Sequence, residues 1–241
     1  MGKRDEALAL HGQLLQHADA AEAADLFGAG QQILTGLMPP DTATQGAQCR
    51  AETRRSAARC DSTMRAAMRN FETSVQGQYR TIIQAYEAGL AKNPYYRDAL
   101  FTLVAVAVLA GDTARAVKTA ARLYAVDPLN RESLRRVAQA WQLKGKTDST
   151  LHYLQLVESI PVEVTVGTFV ADEHGATLGG IVTNVRSKPS PALAVRFEFM
   201  SAKGDVVATE TLNVTPIAPG ENQPFELKPN GAGIVAWRYS R

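Results

Sequence analysis

Only two cysteines and four histidines occur among the 241 residues, which leaves little material for a metal centre. His11 and His17 stand six residues apart, on different faces of any helix, and His152 and His174 have no second ligand at a binding interval. No metal and no cofactor is expected. A glycine-rich phosphate loop, a serine elbow and a paired CxxC motif are all missing, so no catalytic residues, and no enzyme, are expected. Charge of one sign is also lacking: 26 basic against 24 acidic residues leave +2, no global field that would argue for nucleic acid as a partner. The longest largely apolar run, Leu100 to Ala110, is eleven residues. A membrane-spanning helix needs roughly 20, so no transmembrane segment is expected. After Met1-Gly2-Lys3-Arg4 come Asp5 and Glu6, where the apolar core of a secretion signal would lie. The chain is then either cytoplasmic or has had a leader removed.

What is present is a hydrophobic content of 45%, enough for two ordinary domains, and an abrupt change of pattern near Pro161. Alanine-rich stretches of helical periodicity precede that proline, and alternating valine, threonine and aromatic residues broken by glycine and proline follow it. The division predicts a helical domain over 1–161 and a β domain over 162–241. Within the helical part Gly77, Gly111 and Gly145 are spaced by 34 residues, as are Pro94 and Pro128. Leu100 and Leu134, Leu103 and Val137, Val104 and Ala138, and Ala107 and Trp141 fall in the same register. Each period reads as helix, tight turn, helix, with glycine at the turn, and such units stack to bury a continuous core. The copies are 63–96, 97–130 and 131–161. In this register Trp141 fills a packing position. Residues 5–37, with Leu8, Leu14, Leu26, Phe27 and Ile33, predict a further, divergent helical hairpin.

Residues 41–62 are poor in large apolar side chains and read as an arginine-rich insertion, either a loop or a solvated helix. Arg50, Arg54, Arg55, Arg59, Arg65 and Arg69 are opposed there only by Glu52 and Asp61. Arg55 and Arg59, and again Arg65 and Arg69, are one helical turn apart and would share a face. The functional reading is a contact for an acidic partner surface or for anionic lipid head groups; the other reading is a solvated face. Cys49 and Cys60 lie in the same segment. One straight helix would hold them roughly 16 Å apart, beyond bridging, whereas a turn between them would allow a disulfide and favour an oxidising compartment. Tyr95 and Tyr96, at a turn between repeats, are the best aromatic candidates for a partner contact.

After residue 161 the strand candidates are 162–171, 177–185, 193–200, 206–214, 223–227 and 234–240, separated by turns at His174-Gly175, Lys203-Gly204-Asp205, Pro219-Gly220 and Asn230-Gly231. Short strands at this spacing with no helix between them predict an antiparallel, immunoglobulin-like β-sandwich.

With Leu100, Leu103, Val104, Gly111, Ala116, Ala120 and Asp127-Pro128 in one copy, and Leu134, Val137, Ala138, Trp141 and Gly145 in the next, the helical part resembles the tetratricopeptide repeat family. Gly180-Ile181-Val182-Thr183-Asn184, Leu193 to Phe199, Lys203 to Val207, Pro219-Gly220-Glu221 and Phe225 are similar to the FxLYD family of small bacterial sandwiches. Those resemblances imply a repeat array followed by an extracytoplasmic accessory domain, without catalytic residues. Together with the cysteine pair, the second of them favours a periplasmic location, although the chain shows no signal peptide. The function expected is a non-catalytic interaction scaffold, an accessory subunit of a larger assembly of other proteins, membrane-bound or not. The alternative is an extracytoplasmic adaptor that assembles or stabilises an envelope complex, and after it an enzyme with an undetected site. Arg54, Arg55, Arg59, Arg65, Arg69, Tyr95 and Tyr96 are the expected contact residues.

Overall fold

A computed structural model describes residues 10, 13–37, 42–52 and 57–241. The described residues form helices α1 (Ala23–Thr35), α2 (Thr42–Glu52), α3 (Ala57–Lys92), α4 (Arg97–Leu109), α5 (Thr113–Val126), α6 (Arg131–Leu143) and α7 (Thr147–Ser159). Strands β1 (Glu163–Ala171), β2 (Ala176–Thr183), β3 (Leu193–Ser201), β4 (Val206–Val214), β5 (Asn222–Leu227) and β6 (Ile234–Ser240) follow. The chain divides into two compact units, Met1–Ala85 and Tyr86–Arg241.

In the first unit α1 buries Leu26, Phe27, Ala29, Gly30 and Ile33, positions that recur at helical spacing on one face. Along α3, Cys60, Val75, Ile82 and Ala85 are buried in the same way. Cys49 of α2 is bridged to Cys60 of α3, with the two Cα atoms 5.9 Å apart, because the chain ends one helix and starts another between them. The expected repeat over 63–96 is corrected here. Instead of turning at Gly77, α3 runs unbroken for 36 residues. A lone glycine costs an isolated helix position about 1 kcal/mol, and with good helix formers on both sides and no proline that cost does not end the helix.

Gly111 and Gly145 behave differently, and the reason is conformational. Their φ angles of 72° and 71° lie in the left-handed region open to glycine. The wrap they allow lets the amide of Asp112 donate to the Ala107 carbonyl at 2.9 Å and that of Lys146 to Trp141 at 3.1 Å, closing α4 and α6. Polar side chains between the helices start the next ones: Asp112 caps α5 by accepting from the Arg115 amide. Asn130 likewise caps α6, accepting from the Ser133 amide, both at 3.0 Å. Two hairpins result, α4–α5 and α6–α7, where a stacked repeat array needs at least three. Trp141 is only half-buried, its ring beneath the Lys144 ammonium at 5.1 Å, so it does not occupy the core position its register suggests.

The six strands form two antiparallel sheets of three, in the orders β1-β2-β5 and β4-β3-β6. Every strand lies within one or two residues of its predicted span, but the expected immunoglobulin-like sandwich is corrected to two small sheets, since that fold needs about seven strands. Nor does the chain divide at Pro161. Asn93 Nδ2 donates to the Val235 carbonyl at 3.0 Å, and Asn130 Nδ2 to that of Val164 at 3.3 Å, so the helices from α4 onward and the strands make one unit. Phe197 centres the β core, its ring 5.1 Å from Tyr239, 5.7 Å from Phe225 and 6.4 Å from Trp237. Gly180 on β2 lies under that cluster: a methyl added there would come within 2.7 Å of the Phe225 ring and would also strike the Thr165 carbonyl. Gly180→Ala is therefore expected to lower the stability of the Tyr86–Arg241 unit by about 1–3 kcal/mol, the usual cost of overpacking, measured by urea denaturation.

Candidate functional site

The chemistry of the second unit converges where the start of α4, the end of α5, β1 of the first sheet and β6 of the second meet. Asp127, at the end of α5, is 2% exposed. Its Oδ1 accepts from the Tyr239 hydroxyl at 2.6 Å, and its Oδ2 accepts from the Ser133 hydroxyl at 2.6 Å and from Arg97 Nε at 2.7 Å. Tyr239 in turn accepts from the Leu129 amide at 3.2 Å. Burial first, and then the Asp127 charge, hold the Tyr239 phenol far above its ordinary range, so it stays a proton donor. Burial pulls the Arg97 guanidinium down, but Asp127 and Asp98 outweigh it and the net displacement is upward. The acceptors and donors of this group meet one another, which makes it a structural weld rather than an open reaction centre.

Beside the weld is a cleft of about 210 Å³, polar in character, bordered by Tyr95, Tyr96, Arg97 and Asp98, by residues 165–169 of β1, and by Trp237. The Asp98 side chain is 69% exposed and holds Arg97 at 3.0 Å. Asp98 and the buried Asp127 carry two negative charges against the one guanidinium of Arg97, so the cleft has a net charge of −1. Tyr96 registers it: burial, and behind it the Asp98 carboxylate, raise its phenol above the ordinary value.

The far wall is a strand edge. β1 lies at the margin of its sheet and has a bulge between Val166 and Thr168. The Val164 amide turns outward to the Leu129 carbonyl at 3.0 Å. Alternation along the strand turns the Val166 backbone the same way, now into the cleft. Gly167, within the bulge, has nothing within 4 Å of where a side chain would begin. Tyr95 is fixed by the Arg238 guanidinium, 5.3 Å from its ring centre, and by the β3–β4 turn, where Gly204 has φ of 88° and a side-chain carbon would lie 3.1 Å from that ring.

Of the residues singled out in the sequence, Tyr95 and Tyr96 line this cleft. Arg59, Arg65 and Arg69 lie exposed on α3 in the other unit, with Arg65 and Arg69 one turn apart and Arg59 turned elsewhere by its six-residue offset. Arg54 and Arg55 lie outside the described residues. Asp98, Arg97, Asp127, Trp237 and Tyr239 escaped the sequence reading, apart from Asp127 as the end of a repeat. They are scattered over 142 positions, and no local pattern joins them.

Among the described residues, no cluster of three or more histidine, cysteine or acidic side chains could hold a metal, and no helix is long and apolar enough to cross a membrane. No family model matches the chain, so the tetratricopeptide and FxLYD resemblances are withdrawn as assignments. No curated protein matches either. Among solved structures, a likeness covers 86% of this chain and 60% of the Pseudomonas fluorescens alkylpurine DNA glycosylase AlkC bound to DNA containing an abasic site analogue, at 10% identity and a TM-score of 0.22. This chain thus spans about 60% of that protein's length. The neighbour is an enzyme bound to DNA, whereas the expectations here were a non-catalytic scaffold or adaptor, protein subunits as partners, no enzymatic activity and no nucleic acid. Those expectations are withdrawn. At a TM-score of 0.22 the likeness transfers neither fold nor activity to this chain.

Proposed function

We propose that the Tyr86–Arg241 unit is a ligand-binding module whose cleft takes a small organic cation, an ammonium or guanidinium group on a compact body. The observation that carries this reading is the net negative charge of a cleft bordered by Tyr95, Tyr96 and Trp237, with Asp98 exposed in it. Aromatic faces and a carboxylate stabilise a cation together, and partial shielding from water strengthens both terms. Arg97 is shared between the buried Asp127 and the exposed Asp98, so its one positive charge offsets only one of the two carboxylates, and Asp98 is the one that a ligand can reach. The volume of about 210 Å³ falls below the roughly 300 Å³ at which drug-sized sites begin, which selects a compact ligand. The Val166 backbone at the strand edge supplies a donor and an acceptor for a polar group beside the cationic one.

Calorimetric titration with benzylamine, agmatine and tetramethylammonium, against benzyl alcohol and acetate as uncharged and anionic controls, tests this. Saturable binding of at least one cation and none of the controls is expected. Asp98→Asn, on an exposed side chain and so without loss of fold, is expected to weaken that binding about tenfold or more, as loss of a hydrogen bond to a charged group does. Equal binding by the variant, or no binding by any cation, would remove the proposal.

A further inference from the structure

The geometry points to α2 as a redox-gated clasp, held against α3 only while the Cys49–Cys60 disulfide is closed. The sequence of α2, TATQGAQCRAE, contains no valine, leucine, isoleucine, methionine or aromatic residue. It therefore brings no large apolar side chain to its contact with α3. The close approach is made by Gly46, which is buried and has Met64 Cγ 3.5 Å from where its side chain would begin. Arg50 pairs with Asp61 at 2.9 Å, but both side chains are about half exposed, at 47% and 49%, where an ion pair adds little. At eleven residues α2 is shorter than the about 12–15 at which even a good isolated helix is marginal, and Thr42, Thr44 and Gly46 weaken it further, so it does not persist unsupported. Among the described residues the covalent bridge is the strongest tie between α2 and α3, and Cys60 on its α3 side is fully buried beneath it.

The opening step uses a dithiol as reductant. A thiolate attacks the sulfur of Cys49, the less buried of the pair, forming a mixed disulfide and breaking the Cys49–Cys60 bond. Cys60 leaves as a thiolate and takes up a proton. The second thiol of the reductant then displaces Cys49, so that two electrons pass to the protein and the dithiol becomes a disulfide. Release of α2 uncovers Cys60 and Met64. An oxidising compartment keeps the clasp closed and a reducing one opens it.

Hydrogen exchange of the full chain, oxidised and after treatment with dithiothreitol without denaturant, is the direct test. A Cys49→Ser/Cys60→Ser double variant serves as a permanently open form. In both the reduced protein and the variant, amides 44–52 are expected to exchange at least about thirtyfold faster, the low end of what losing a native disulfide does, while residues 86–241 keep their protection. Three results would overturn the clasp: unchanged protection of 44–52 in the double variant, loss of protection spreading through 57–85 as the unit unfolds, or a disulfide that dithiothreitol cannot reduce in the folded protein.

Discussion

Asp127→Ala is expected to lower the unfolding free energy of the Tyr86–Arg241 unit by about 3 kcal/mol, the lower end of the range for breaking a buried charge pair. The lower end applies because Arg97 keeps 21% of its side chain exposed and can regain some water once its partner is gone. The Tyr239 and Ser133 hydroxyls lose their acceptor at the same time, each inside the protein. For a unit of this size the loss corresponds to a fall in melting temperature of about 6–12 °C, measured by differential scanning calorimetry. Asp127→Asn should lose nearly as much, since its amide offers one acceptor where three donors converge. A sharper outcome concerns the double variant Arg97→Met/Asp127→Ala, which should be more stable than Asp127→Ala alone because the guanidinium that lost its buried partner has gone. Additive losses in that cycle would show that the pair is not coupled.

Phe197→Ala is expected to cost about 3–5 kcal/mol, since it empties the centre of the aromatic cluster between the two sheets. Phe197 is fully buried, and Phe225, Trp237 and Tyr239 all pack within 6.4 Å of it, so neither sheet can close the space without moving the other. Tyr239 is tied at its hydroxyl to Asp127, which prevents its ring from shifting into the gap. Phe197→Leu should recover more than half of the loss. A urea midpoint for Phe197→Ala equal to that of the parent would mean that Phe197 does not hold the sheets together.

The two results probe different kinds of stability. Phe197 contributes through non-directional burial, tolerant of any apolar group of similar volume. Asp127 contributes through three donors that must meet two oxygens, and no other side chain of its size satisfies them. This second kind fixes the turn at Tyr96-Arg97-Asp98 against the end of α5 and against β6, whose Trp237 borders the cleft, and so helps set the width of the cleft. Tightness there matters for a small ligand, because a compact cation held by one carboxylate and a few rings has little surface with which to offset a loose fit.

Local signals accounted for the elements. Period-two alternation located all six strands, since a strand with one buried face must repeat every second residue. Gly111 and Gly145 marked real helix ends because their left-handed φ is a property of the residue itself. Gly77 bears the same spacing and marks nothing, because the spacing was coincident and no left-handed turn was required there. The disulfide stood open in the sequence for a related reason: eleven residues are compatible with one helix or with two, and only the placement of α2 against α3 decides between them.

By itself, then, the sequence determined where the strands and most helices lie, and that Tyr95 and Tyr96 sit at a turn. Each of these depends on residues within a few positions of one another. Tertiary structure alone decided the Asp127 weld, the cleft with Asp98 at its mouth, and the joining of helices and strands into one unit from Tyr86 onward. Those features unite Arg97, Asp127, Ser133 and Tyr239, whose hydrogen bonds span as many as 112 positions. Polar side chains separated so widely leave no periodicity to read, because what selects them is the company they find when the chain has folded.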